Sequence, residues 1–85
     1  MLNEIVTELQ KLYAFNIKAI DGNIVVFHPE LCESQEERYY QLGQLRIIVD
    51  SIISVLNDAY GFNLNDVDDC EINEYSSTNV VIKLR

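Results

Sequence analysis

The stretch SQEERYYQLGQLRIIVDSIISVLNDAY, Ser34 to Tyr60, decides the fold. It is the longest run without a turn signal, and its apolar residues recur at helical spacing. Stepping about 100° per residue from Leu42, the side chains of Leu45, Val49, Ile52, Ile53, Leu56 and Tyr60 fall close together. Ile48, Val55 and Ala59 widen that arc to about 160°, a broad buried face rather than a coiled-coil seam. The spacing predicts one long helix lying over a sheet. Ser34 and Glu37 fit a capping box, Glu36 and Glu37 suit the positive end of the helix, and Gly61 suits the left-handed conformation that ends it. Such a helix is roughly 40 Å long, whereas a compact chain of this size is roughly 30 Å across. Either it breaks near Gly43, or its first two turns project and leave Tyr39, Leu42 and Leu45 without cover. An unbroken helix is therefore expected to carry a second protomer or a partner against residues 39–47.

Upstream, Leu2 to Tyr13 reads as a first helix, with Leu2, Ile5, Val6, Leu9, Leu12 and Tyr13 on one stripe. Phe15 to Ile20 and Ile24 to His28 flank Asp21-Gly22, a type I′ hairpin signal. A two-residue loop sets Ala19 opposite Ile24 and Ile17 opposite Val26. Phe15, Ile17, Ala19, Ile24 and Val26 then share the face under the helices. Pro29 ends the return strand, because it has no N–H to donate. Downstream, Cys70 and Ile72 alternate with polar residues, as do Val80, Ile82 and Leu84, and Ser76 to Asn79 supplies a turn. Setting Ile72 opposite Ile82 also sets Cys70 opposite Leu84, Glu71 opposite Lys83 and Asp69 opposite Arg85. That register turns apolar pairs inward and opposite charges outward.

The order helix, hairpin, helix, hairpin predicts a single α+β domain over residues 1–85. It is expected as two helix–hairpin units (αββαββ), a four-stranded, mainly antiparallel sheet with both helices on one face. Tyr13-Ala14-Phe15-Asn16-Ile17 matches Tyr60-Gly61-Phe62-Asn63-Leu64 at an offset of 47. A duplicated αββ unit explains the match. So does the general likeness of any two amphipathic helices that run into strands.

With 14 acidic and 6 basic side chains, the chain carries a net charge of −8. It has no basic patch with which to release counterions from DNA, RNA or an anionic membrane, so no direct nucleic-acid or membrane partner is expected. A basic protein surface is the favoured partner. Met1 precedes an acidic amphipathic segment rather than a signal peptide, and no apolar run approaches about 18 residues. Cys32 and Cys70 form neither a metal-type spacing nor a disulfide framework. The expected compartment is the cytoplasm.

No catalytic constellation is visible, and no enzyme, metal or cofactor is expected. His28 stands alone at a strand end, where a polar terminus is the ordinary role. With Cys32 and Cys70 it falls short of the four ligands of a structural zinc site. A calcium loop begun at Asn63 puts Val67 at the third ligand position and Asp68 where the turn glycine belongs. Three scattered glycines make no phosphate cradle.

Two features point to binding. Asp58, Asp66, Asp68, Asp69, Glu71 and Glu74 occupy a stretch without lysine or arginine, and Glu30, Glu33, Glu36 and Glu37 form a second group. A solvated surface accounts for such acids. Spaced carboxylates on a rigid scaffold also imitate nucleic-acid phosphates. In composition, though in no motif, the chain is similar to small acidic phage proteins that inhibit nucleic-acid enzymes. The expected partner-binding residues are Asp66, Asp68, Asp69, Glu71 and Glu74, with Glu33, Glu36 and Glu37 next. The second feature is a helix face of Tyr40, Gly43, Gln44, Ile47 and Ser51, opposite the buried arc. The sequence thus reads as a non-enzymatic inhibitor or adaptor that occupies a basic surface of a larger partner, such as a nucleic-acid-binding enzyme. The alternative is a structural or regulatory homodimer paired through the long-helix face.

Overall fold

Local chemistry sets the element boundaries of the structure, a computed structural model that describes residues 2–62 and 78–84 and the backbone of 67–69. In chain order these are α1 (Leu2–Leu12), β1 (Asn16–Ile20), β2 (Asn23–Phe27), α2 (Gln35–Tyr60), β3 (Val67–Asp69) and β4 (Asn79–Ile82). The β1–β2 turn is Asp21-Gly22, with φ of 53° and 78°. Two positive φ angles make the mirror-image turn whose twist matches a hairpin. The register is the expected one, Ile17 opposite Val26 and Ala19 opposite Ile24. At the start of α2, Ser34 is extended (φ −149°, ψ 164°) and its hydroxyl accepts from the Glu37 N–H. At its end, Gly61 takes φ 72°, and the N–H groups of Gly61 and Phe62 both reach the Leu56 carbonyl.

β2 pairs on its other side with β4, antiparallel, with Ile24 opposite Ile82, Val25 opposite Val81 and Val26 opposite Val80. Ile17, Ile24, Val26, Val80 and Ile82 therefore line one face. They are buried in one cluster with Ile5, Val6 and Leu9 of α1 and Leu45, Val49, Ile52 and Leu56 of α2. On the opposite face Lys18 stacks over the Phe27 ring, 5.7 Å from its centroid.

The expected four-stranded sheet of two equal helix–hairpin units needs correction. Three antiparallel strands, β1, β2 and β4, carry the sheet that the helices cover. β3 adds only a three-residue backbone segment along the outer side of β4, giving the hydrogen-bonded order β1-β2-β4-β3. Two of its three residues are aspartates, which strands disfavour. The register also differs: Ile82 faces Val67, Val81 faces Asp68 and Val80 faces Asp69. Val80 thus takes the place opposite Asp69, and Val67 the place opposite Ile82, that the expected register gave to other residues. β4 is an inner strand here, and its pairing with Val and Ile residues of β2 fixes its position, which outweighs exposed charge pairs worth roughly 0.2–1 kcal/mol each. The two proposed repeat units also differ in size. α1 has 11 residues and α2 has 26. Cys70 to Ser77, and with them the expected pairs of Cys70 and Glu71, lie outside the described residues.

Of the two outcomes expected from helix length, the unbroken helix is the one found. α2 runs unbroken through Gly43. The body measures 37 × 22 × 20 Å, so its long axis nearly matches the helix. Leu45 is fully buried, Gln41 is 4% exposed and Leu42 packs against the core. Cover from the chain's own body reaches Leu42 and Leu45, whereas Tyr39 stays 68% exposed.

A Cβ placed on Gly43 would meet nothing within 4 Å. The glycine therefore has no packing role inside this chain. Gly43→Ala is expected to stabilise the fold by about 0.5–1 kcal/mol, seen as a rise in Tm of several degrees in thermal denaturation; an unchanged or lower Tm would mean that this turn is not an ordinary helix interior.

Candidate interaction surface

The outer face of α2 is positioned by a polar clamp on its inner side. The His28 N–H donates to the Thr78 carbonyl at 2.8 Å, joining the ends of β2 and β4. The Thr78 hydroxyl donates to Gln41 Oε1 at 2.6 Å, and Gln41 Nε2 donates to the Glu30 carbonyl at 3.4 Å. The Glu30 N–H donates to His28 Nδ1 at 3.1 Å, and His28 Nε2 lies 2.7 Å from Gln44 Oε1. Because Nδ1 accepts, Nε2 carries the proton and donates to Gln44. Phe15 meets the imidazole edge-on, with centroids 5.6 Å apart. His28, Gln41 and Thr78 are all buried. Buried polar groups need such partners, and here both nitrogens of His28 have one. The ring is placed as a structural joint.

The solvent side of the same helix segment is apolar. Tyr39 and Tyr40 are each 68% exposed, Ile47 is 73% exposed, and Leu31 in the preceding connector is 69% exposed. Of the five expected helix-face residues, Tyr40, Gly43, Ile47 and Ser51 are exposed. Gln44 is half-buried on His28, and the Ser51 hydroxyl is 2.6 Å from the Tyr13 hydroxyl, tying α2 to the end of α1. The sequence reading missed Gln41 and the inward role of Gln44. The one available signal was the position of Gln41 within the apolar arc, at the same angle as Ala59, where a polar residue needs a buried partner.

The acids divide. Glu33, Glu36 and Glu37 are exposed around the start of α2. Part of their role is local, since the Glu37 carboxylate accepts the Glu33 N–H at 3.2 Å, one residue before the Ser34 N-cap. Asp68 and Asp69 lie in β3. Asp66, Glu71 and Glu74 fall outside the described residues. Cys32, Glu33, Ser34, Gln35 and Arg38 line an open depression of about 320 Å³, in which the Cys32 thiol donates to the Ser34 carbonyl at 2.9 Å. Among the described residues, no group of three or more His, Cys, Asp or Glu side chains could hold a metal ion, and no helix is long and apolar enough to cross a membrane. No family model, curated protein or solved structure matches this chain.

The clamp predicts a specific pattern of stability. Gln41→Ala leaves the Thr78 hydroxyl without its acceptor and is expected to cost about 1–3 kcal/mol, as is Thr78→Val, which strands Gln41 Oε1. The double variant should lose less than the sum, with a coupling of about 0.5 kcal/mol or more in denaturant titrations. Strict additivity would show that the two side chains do not act as a pair. Long-range ¹H–¹⁵N spectra of His28 should show the Nε2–H tautomer; the Nδ1–H form would contradict the clamp.

Proposed function

We propose that this chain is a small non-enzymatic binding protein that works in the cytoplasm as an inhibitor or adaptor, occupying a basic surface of a larger protein. A nucleic-acid-binding enzyme is the partner class whose groove chemistry suits it. One observation carries this reading: exposed Glu36 and Glu37 adjoin exposed Tyr39, Tyr40 and Ile47 on one helix, with exposed Glu33 just before it, in a chain of net charge −8. Apolar anchors beside exposed carboxylates suit a partner whose own apolar site is rimmed with Lys or Arg. In sequence, Asp66, Asp68, Asp69, Glu71 and Glu74 add a further run of carboxylates.

The test uses the immobilised chain against cell extract. A captured partner should be released by salt and by excess duplex DNA or RNA, because its basic groove is shared with nucleic acid. Reversing Asp66, Asp68 and Asp69 to lysine should weaken capture and flatten the salt dependence while the far-ultraviolet circular dichroism stays unchanged. Capture insensitive to salt, to polynucleotide and to the triple reversal would overturn the reading.

A further inference from the structure

Tyr40, Gly43, Gln44 and Ile47 stand at positions i, i+3, i+4 and i+7 on the outer side of α2. Four residues at that spacing make the hole that receives a side-chain knob from a facing helix. Tyr40 and Ile47 are its upper and lower walls, both more than two-thirds exposed. Gly43 is its floor, with no atom within 4 Å of a built Cβ. Gln44 is the fourth wall, its amide oxygen held 2.7 Å from His28 Nε2 on the inner side. A glycine in a helix interior is unfavourable by about 1 kcal/mol relative to alanine. Nothing inside the chain explains it, whereas close approach of a second helix does.

Charge selects the occupant. Glu36 lies one turn before Tyr40 and Asp50 about one turn after Ile47; both are exposed, in line with the hole. Glu33 and Glu37 extend the rim beyond Glu36, and Arg46 borders one edge. A second copy laid antiparallel about residues 43 and 44 puts Glu36 and Glu37 beside Asp50, twice by symmetry. A parallel copy sets each acid against itself. Both arrangements place like charges together on two bodies of net charge −8 each. A helix with an apolar seam flanked by lysine or arginine meets the same rim with attraction.

We infer that this hole docks an amphipathic, basic α-helix of a partner protein, one bulky apolar side chain seated over Gly43 between Tyr40 and Ile47. Lysine or arginine on either side of that seam faces Glu36 and Asp50. The inference rests on the reading of a basic partner and adds where and by what shape the partner is held.

The probe is a fluorescent peptide of roughly three heptads with leucine at the seam positions and lysine flanking them. Fluorescence anisotropy should show binding to the full chain, and amide shift changes should centre on Tyr40, Gly43 and Ile47. Gly43→Leu fills the hole with a better helix former, so folding is not at stake, and it should weaken binding about 30-fold. Glutamate in place of the peptide's lysines should abolish binding. Salt-sensitive binding of the lysine peptide with Gly43→Leu as tight as the parent would overturn the docking site while leaving the basic-partner reading in place. No binding of the lysine peptide at low salt, by either chain, would overturn both. A parent chain that sediments as a dimer, which Gly43→Leu dissolves, would make a second copy the occupant and overturn the inference.

Discussion

The architecture depends on the way Thr78 and His28 hold Gln41 and Gln44. α2 is almost as long as the whole body, and the apolar core reaches along it only from Leu45 to Leu56. One turn before Leu45 the buried position belongs to Gln41, a polar residue. Burying an amide without partners costs several kcal/mol, more than the gain from covering one more turn. The Thr78 hydroxyl and the Glu30 carbonyl supply those partners. The helix is therefore held down past the end of its apolar stripe by hydrogen bonds to the ends of β2 and β4. That is why the turn at Gln41 is held against the sheet rather than projecting from it.

The clamp also fixes which strand sits in the middle. His28 follows β2 and Thr78 precedes β4, and the bond between them continues the β2–β4 ladder by one step. With that end tied, Val26 meets Val80 and Ile24 meets Ile82 under α2. The position of β4 is then set before β3 joins its free side. A register chosen for its charge pairs gains too little to move a strand whose other edge is locked in a core.

What was legible in the sequence and what was not follow from range. The Asp21-Gly22 turn, the Ser34–Glu37 cap and the Gly61 terminus each depend on residues within a few positions, and each takes the expected form. Most of the core face of α2 was readable from periodicity alone, but Ala59 and Tyr60, expected on it, are exposed at the end of the helix. The β4 pairing was not, because it joins residues more than fifty positions apart through side chains that several registers satisfy. The bonds of Gln41 and Gln44 were not readable either. Their partners, Thr78 and His28, are distant in sequence, and the place of Gln41 within the apolar arc marks it as buried without saying what it bonds. The outward character of Tyr40 and Ile47 was legible, and the reason they stay outward was not.

That reason lies in the arrangement of four consecutive residues. Gln41 and Gln44 are drawn inward to polar partners, while Leu42 leans on the core and Gly43 presents bare backbone to solvent. The inward bonds remove the freedom of the helix to roll or to fray at this point. An exposed surface held rigid in this way loses less conformational entropy when something binds to it. A glycine loosens a free helix, but here the clamp restrains the backbone on both sides of it. The position can then be left without a side chain at small cost to order. The same bonds that solve the problem of an overlong helix thus leave a stiff, apolar, acid-rimmed notch on its outer side.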